Sequence, residues 1–353
     1  MTKPGTMSPK ICAWELTLAC NARCIHCGSS AGAPREDELT TEEALGLIDD
    51  LAALDCEAVT FSGGEPFLRK DWPLLAESLL RAGVRTEAIT NGLCVSEQAD
   101  AIASAGFNNV TFSVDGTAKT HDRIRGVSGG LERLLEGVGS IANRGTHIGA
   151  VTQINLLNWR ELDQIHDLLV TNGFEGWQVQ LTMPHGRAAD NREELCLAQQ
   201  DLLTLENTLL KLHHKSPIFI QIADNIGYLG RNEPKLRAGA SPTHKIWGGC
   251  QAGLQVIGIT SDGTIRGCLS MPPALNEGNI RERPLSEIWN DPKGFSYNRQ
   301  FDAASLDGTC SKCPLGPLCR GGCKSLAYAY TGDLNSNPYC LRRLADETNG
   351  GEP

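Results

Sequence analysis

The sequence predicts an α/β fold in which a parallel sheet is followed by a small, cysteine-rich domain. Six short apolar or β-branched runs alternate with amphipathic, helix-like segments between about residues 12 and 185. A helical stretch follows, and from about residue 246 the chain is rich in Gly, Pro and Cys with only short elements. Alternating strands and helices imply parallel strands with right-handed crossovers, and such sheets bind ligands at the carboxyl ends of their strands.

The elements divide the chain into four regions. Thr40 and Glu43 form a capping box ahead of the first helix, and Asp71 can cap the second. The six strands are predicted at 12–17, 58–62, 85–90, 109–114, 147–154 and 177–182. The predicted regions are a core at 11–189, a helical bridge at 190–245, a cysteine-rich domain at 246–343 and a tail at 344–353.

Charge and composition argue against several classes of function. The 353 residues carry a net charge of −10, so we expect no nucleic-acid partner. No apolar run approaches the roughly 20 residues that span a bilayer, and the N-terminus lacks the apolar stretch of a signal peptide. We therefore expect a cytoplasmic protein without a membrane partner. In that setting, 14 cysteines indicate metal ligands rather than disulfides.

Three cysteines lie directly after the first predicted strand. Cys20, Cys24 and Cys27 have the spacing C-x₃-C-x₂-C on one short loop. Three thiolates can bind three irons of a cubane cluster and leave the fourth iron open to a small molecule. A structural zinc site is the alternative, but zinc normally takes four protein ligands arranged as paired C-x₂-C knuckles.

This motif resembles that of the radical S-adenosylmethionine (SAM) superfamily. The resemblance implies a partial (β/α)₆ barrel and an open iron that binds the amino and carboxylate groups of SAM. It also implies that one electron cleaves SAM, and that the resulting 5′-deoxyadenosyl radical takes a hydrogen atom from a substrate.

Further segments match the family's SAM-binding motifs. The segment S-G-G-E-P at 62–66 resembles the motif that receives the SAM amino group, and S-V-D-G with H-D-R-I-R-G at 113–126 resembles a second one. We expect Arg125 to suit the SAM carboxylate, His26 to lie beside the adenine, and Arg187 to line the mouth of the barrel. For Asp115, the alternative to SAM binding is a structural role in the turn. The predicted SAM-binding residues are Gly63, Gly64, Glu65, Ser113, Asp115, Arg125 and Gln153.

Seven further cysteines resemble the signature of the SPASM domain, which carries two auxiliary [4Fe–4S] clusters. The resemblance implies three clusters in all. By analogy, the distal auxiliary cluster is held by Cys310, Cys313, Cys319 and Cys340, and the proximal one by Cys250, Cys268 and Cys323. For the fourth position of the proximal cluster we expect an open iron. His244 is the alternative ligand, and Cys196 is a weaker one.

The resemblance specifies a reaction class and leaves the substrate open. Our first hypothesis is oxidative modification or cross-linking of a ribosomally made peptide. Only 19 residues precede Cys20, so we expect direct leader binding or a separate leader-peptide recognition protein. The second hypothesis is a small-molecule dehydrogenase or epimerase acting on a sugar or aminocyclitol, and the third is a non-catalytic iron–sulfur electron carrier. Leu269 disfavours a sulfatase substrate, and a flavodoxin- or ferredoxin-type electron donor is implied.

Overall fold

One sheet organises the molecule. The computed structural model describes residues 7–237 and 246–348, and in these ranges ten strands are hydrogen-bonded side by side. The strands are β1 Ile11–Thr17, β2 Ala58–Gly63, β3 Arg85–Thr90, β4 Asn109–Ser113, β5 Ile148–Ile154, β6 Gly176–Leu181, β7 Phe219–Ile222, β8 Val256–Ile259, β9 Thr264–Arg266 and β10 Gly278–Asn279.

The sheet has the order β10-β9-β8-β1-β2-β3-β4-β5-β6-β7. All pairings from β8 through β1 to β7 are parallel, whereas β9 and β10 are antiparallel additions at one edge. The carboxyl ends of eight neighbouring strands therefore meet at one rim, where ligands of parallel sheets bind.

The six predicted strands are confirmed to within about one residue at each end. Two parallel strands were not predicted. Strand β7 lies in the predicted helical bridge, and β8 lies in the predicted cysteine-rich domain, where it pairs with β1 in the register Ile11 to Val256. The sheet of the core thus continues into the C-terminal region.

Helices cover the sheet and form most of the C-terminal region. Single-turn 3₁₀ helices also occur at Pro66–Leu68, Ser96–Gln98, Pro273–Leu275 and Ala303–Ser305. The α-helices are α1 Thr41–Ala53, α2 Trp72–Arg81, α3 Ala99–Ser104, α4 Ala118–Arg125, α5 Gly130–Ala142, α6 Leu162–Thr171, α7 Arg187–Asp190, α8 Arg192–Leu195, α9 Asp201–Lys215, α10 Glu233–Leu236, α11 Leu285–Trp289, α12 Ser296–Arg299, α13 Gly308–Ser311, α14 Gly316–Cys319, α15 Lys324–Thr331 and α16 Leu341–Thr348. Each described helix is too short or too polar to cross a membrane.

The predicted capping box is confirmed. The Glu43 amide donates to the Thr40 hydroxyl at 3.2 Å, and the Thr40 amide donates to the Glu43 carboxylate at 2.8 Å. The predicted cap of the second helix is wrong, because the Asp71 side chain makes no capping hydrogen bond. Its carboxylate accepts hydrogen bonds from Arg69 and Thr41 instead, each at 2.6 Å, and so ties the start of α2 to α1.

Large apolar side chains fill the space between sheet and helices. Trp14, Phe61, Phe112 and Trp177 come from four different strands, and each is at most 1% exposed. This core fixes the strands and hence the rim on which the functional side chains lie.

Candidate active site

The loop with the first three cysteines is anchored at both of its faces. The Cys20 amide donates to the Gly32 carbonyl at 3.0 Å, which closes the loop on itself. The amides of Arg23 and Ile25 donate to carbonyls at the end of α4, at 3.2 and 2.9 Å. The cysteine loop after β1 is therefore joined to the segment that follows β4.

Each of the three thiols has a nitrogen donor nearby. Asn91 Nδ2 lies 3.7 Å from Cys20 Sγ, Arg125 Nη1 lies 3.7 Å from Cys24 Sγ, and the Ala31 amide lies 3.4 Å from Cys27 Sγ. Donors in this arrangement stabilise negative sulfur, so the three residues suit thiolate ligands of a cluster. Sequence reasoning missed Asn91, which follows β3 in an ordinary T-N-G turn.

A cavity of about 230 Å³ brings these cysteines together with most of the predicted SAM-binding residues. His26 and Arg187, which sequence reasoning placed near the adenine and the mouth, also line it. The predicted residues on its wall are Cys20, Cys24, Cys27, Gly63, Gly64, Ser113, Arg125 and Gln153. Asn91, Gln178 and Gln180 add further polar side chains to this wall.

Two glycines let the end of β2 approach the cysteine loop closely. A Cβ atom on Gly64 would lie 2.1 Å from the Ala19 carbonyl oxygen, and one on Gly63 would lie 2.4 Å from the Thr17 carbonyl oxygen. Gly63 also has a φ of +126°, a conformation that side chains disfavour. The Gly64 and Glu65 amides donate across this contact at 2.8 Å each. The glycines therefore position the end of β2, which lines the cavity with predicted SAM-binding residues, against the cysteine loop.

Glu65 lies behind this wall, fully buried. Its carboxylate accepts hydrogen bonds from the Thr90 hydroxyl and the Asn91 amide, both at 2.8 Å. Burial raises the pKa of Glu65 to about 7, against the opposing effect of these donors. Glu65 is a predicted SAM-binding residue, whereas these two hydrogen bonds join the end of β2 to the end of β3.

Asp115 also lies inside the protein, at the centre of a charged cluster. Its Oδ2 atom is 2.5 Å from Arg125 Nη2 and 3.1 Å from His26 Nε2, and its Oδ1 atom accepts from the Gln153 amide at 2.8 Å. Burial alone would raise the pKa of Asp115, but the charges of Arg125 and His26 outweigh it and hold that pKa below its usual range. Asp115 thus orients Arg125, which also contacts Cys24, rather than facing the cavity.

A second cavity, of about 560 Å³, adjoins the first. Ser62, Gly63, Gln153 and Gln180 line both. The far wall of the second cavity comes from the C-terminal region and contains Arg266, Leu269, Ser270, Met271, Pro272 and Pro273. A space of this volume suits a small-molecule or peptide-sized ligand, placed next to the predicted SAM site.

His185 lines the second cavity, and its hydrogen bond to Ser325 fixes its tautomer. The Ser325 hydroxyl donates to the Ser270 carbonyl at 2.5 Å, so its oxygen must accept from His185 Nε2, which lies 3.1 Å away. Neutral His185 therefore carries its proton on Nε2 and keeps a lone pair on Nδ1. Burial lowers the pKa of His185, against the opposing effect of Ser325, which favours this neutral form. Sequence reasoning noted only the neighbouring Arg187.

The C-terminal cysteines fall into two groups. Four of them line one cavity of about 110 Å³, namely Cys310, Cys313, Cys319 and Cys340. Cys250, Cys268 and Cys323 pack in a neighbouring buried cluster with Met271 and Trp247, and this cluster also contacts Cys319 and Cys340 of the first group. Burial, and then the proximity of Cys250 and Cys268, raises the pKa of Cys323. The grouping agrees with the expected distal and proximal sets, and the ligation itself stays a prediction.

The fourth proximal position has several candidates. His244 lies outside the described residues, whereas the Cys196 thiol lies 4.0 Å from the Thr182 carbonyl. Sequence reasoning missed Asp224, which follows β7 at the same rim. Its charge, after burial and the neighbouring cysteines, contributes to the raised pKa of both Cys268 and Cys323.

Comparisons with known proteins agree with this architecture. The radical SAM superfamily profile matches residues 14–169, and the SPASM iron–sulfur cluster-binding domain profile matches residues 250–314. An AdoMet-dependent heme synthase of Methanosarcina barkeri is 32% identical, over 96% of this chain and 98% of that protein. A PqqA peptide cyclase of Rhizobium meliloti is 27% identical, over 97% of this chain and 89% of that protein. The crystal structure of Streptococcus suis SuiB bound to SAM shares the fold, with a TM-score of 0.72 and 15% identity over 95% of this chain and 76% of that one.

The chain is therefore an iron–sulfur enzyme built on a parallel α/β sheet. It belongs to the radical SAM superfamily and carries a C-terminal SPASM domain. SAM and [4Fe–4S] clusters are its cofactors. The donor set fits them, because three thiols with nitrogen donors line one cavity with the glycine wall.

Proposed function

We propose that this enzyme takes a hydrogen atom from a carboxylated tetrapyrrole held in the 560 Å³ cavity. The observation that carries the proposal is the wall shared by the two cavities. Because Ser62, Gly63 and Gln153 face both spaces, a molecule in the larger cavity lies against the predicted SAM site. The tetrapyrrole is supported by the heme synthase relative, which matches almost the whole chain.

The residues have separate tasks in this proposal. Cys20, Cys24 and Cys27 would hold the first cluster, which would supply the electron for the cleavage of SAM. Gly63, Gly64 and Ser113 offer the close backbone approach and hydroxyl that hold SAM, while Arg125 adds a charge fixed by Asp115.

Two auxiliary clusters complete the proposed set of three. Cys310, Cys313, Cys319 and Cys340 would hold the distal cluster, and Cys250, Cys268 and Cys323 the proximal one. In this proposal the auxiliary clusters would accept the electron that the substrate radical loses, and a reduced flavodoxin or ferredoxin would supply the electron for SAM.

A peptide is the second candidate substrate. Side-chain amides of Gln153, Gln178 and Gln180 line the SAM cavity, and Gln153 and Gln180 also line the larger cavity. Amides both donate and accept, so they match the polar groups of a peptide backbone. The PqqA peptide cyclase relative also favours this class. In that case the enzyme would use a leader-recognition partner or bind the leader directly.

Anaerobic turnover separates the candidates. The reconstituted enzyme is supplied with SAM, reduced flavodoxin and one of three substrates: coproporphyrin III, a precursor-like peptide, or an aminocyclitol. We expect coproporphyrin III to raise 5′-deoxyadenosine release above the substrate-free level and to change in mass. A response to the peptide alone would support the second candidate, and a response to the aminocyclitol alone would contradict both. Cys24→Ser serves as the inactive control.

A further inference from the structure

We infer that Arg266 forms a carboxylate-binding subsite in the larger cavity. The inference deepens the proposed function, on which it rests for the reaction, by naming the substrate group that the far wall recognises. Arg266 ends strand β9 and lines the cavity beside the segment 269–273. It therefore belongs to the part of the cavity wall that the C-terminal region contributes.

The guanidinium of Arg266 is held in place from one side. Its Nε atom donates to Asn276 Oδ1 at 2.8 Å, and its Nη1 atom lies 3.4 Å from the Met271 carbonyl oxygen. An arginine carries five N–H donors in a planar fork. Most of these donors remain available for a ligand once the two contacts are made.

No carboxylate of the described residues lies within 4.0 Å of Arg266. Glu15 is the acidic side chain in the same cavity, and it is engaged by other partners. Its Oε1 atom is 2.7 Å from Arg35 Nη2 and 3.0 Å from the Ser261 hydroxyl. The two cavity arginines are therefore different, because Arg35 forms a direct ion pair with Glu15, whereas Arg266 interacts with Glu15 and Asp262 only at longer range.

This arrangement selects an anion with two oxygens. A half-buried cation without a direct ion pair has lost part of its hydration, so a ligand carboxylate gains a charge-assisted, bidentate contact there. The planar fork matches a carboxylate better than a lysine ammonium does. A propionate of a tetrapyrrole and an acidic side chain of a peptide both carry this group.

Ligand binding tests the subsite without turnover. The holoenzyme is titrated with 3,3,3-trifluoropropionate and, separately, with the neutral trifluoropropionamide, and ¹⁹F NMR gives both dissociation constants. We expect the wild type to prefer the acid, and Arg266→Gln to weaken acid binding by about tenfold while leaving amide binding unchanged. Arg266→Lys should recover part of the preference because it retains the charge. Arg283→Gln is the matched control, since Arg283 pairs with Asp291 at 2.9 Å outside this cavity.

Two further arms identify the source of the carboxylate. Coproporphyrin III is compared with its tetramethyl ester, and an acidic peptide with its amidated form, in wild type and Arg266→Gln. Loss of selectivity for the porphyrin acid or the peptide acid in the variant assigns the ligand class. Equal binding of acid and amide by the wild type, or an unchanged preference in Arg266→Gln, would overturn the subsite even if turnover succeeds. Retained acid selectivity without turnover of either substrate would overturn the proposed function and leave the subsite standing.

Discussion

Replacing Asp115 by Asn probes the charged cluster behind the SAM cavity. The carboxylate is fully buried and contacts Arg125 at 2.5 Å, while its other oxygen accepts from the Gln153 amide at 2.8 Å. An asparagine has one oxygen and one NH₂ group, so either orientation sets an N–H against an N–H of Arg125 or Gln153. The variant also leaves the Arg125 charge without its carboxylate.

The expected decrease in the free energy of unfolding follows from that unpaired charge. Removing one partner of a buried ion pair costs about 3–5 kcal/mol, a large part of the roughly 5–15 kcal/mol that stabilises a typical protein. Urea unfolding of the anaerobic holoenzyme, followed by circular dichroism, should show a lower midpoint at an unchanged slope. Asp122→Asn is the control, because Asp122 accepts from the amides of Gly129 and Leu131 at 2.6 and 3.1 Å and forms no ion pair within residues 7–237 and 246–348. Its expected cost is about 1–2 kcal/mol.

The alternative role of Asp115 predicts a different unfolding result. If its carboxylate contacts SAM directly, Asp115→Asn should weaken SAM binding and leave unfolding close to that of Asp122→Asn. That result would refute the reasoning from burial and ion pairing. Equilibrium dialysis with SAM on the same samples measures the second quantity.

Three further variants test other parts of the site. Burial, with the charge of Arg125, lowers the pKa of His121 to about 4, and its neutral ring accepts from the Asp115 amide at 3.2 Å. Stability should therefore fall as pH drops from 6.5 towards 4, by up to about 3 kcal/mol, and His121→Asn should remove most of this dependence in thermal unfolding. Gly64→Ala places a Cβ 2.1 Å from the Ala19 carbonyl oxygen, so we expect loss of SAM binding and of the first cluster by electron paramagnetic resonance. Cys340→Ser should lower the iron content by about one four-iron cluster in iron analysis, and unchanged iron would contradict the distal assignment.

Local patterns in the sequence predicted most of the core sheet. The six core strands are apolar runs bounded by helix caps and glycines, and each is long enough for its pattern to be visible. Strands β7 and β8 are four residues each and lie in Gly- and Pro-rich surroundings. Their place in the sheet depends on pairing with β6 and β1, and β8 is far from β1 in the chain. That pairing is a tertiary contact without a local signal.

The location of the candidate site could be predicted from the sequence, but the partners of its side chains could be predicted only in part. The rule that ligands bind at carboxyl strand ends placed the cysteines, Gly63, Gly64 and Ser113 on one rim. The sequence could not show that the carboxylates of Glu65 and Asp115 face internal partners, because motif spacing does not specify side-chain direction. No sequence pattern predicted Arg266 as a binding residue. Its lack of a direct ion pair depends on the tertiary contact between Glu15 and Arg35.

Deuterium transfer tests the central claim most directly. Coproporphyrin III deuterated on its propionate side chains is incubated anaerobically with the holoenzyme, SAM and reduced flavodoxin, and the 5′-deoxyadenosine is analysed by mass spectrometry. A substrate held against the SAM site predicts 5′-deoxyadenosine that carries one deuterium, together with a porphyrin product of changed mass. Undeuterated 5′-deoxyadenosine with unchanged porphyrin, from enzyme whose clusters are intact, would contradict a tetrapyrrole substrate in this cavity.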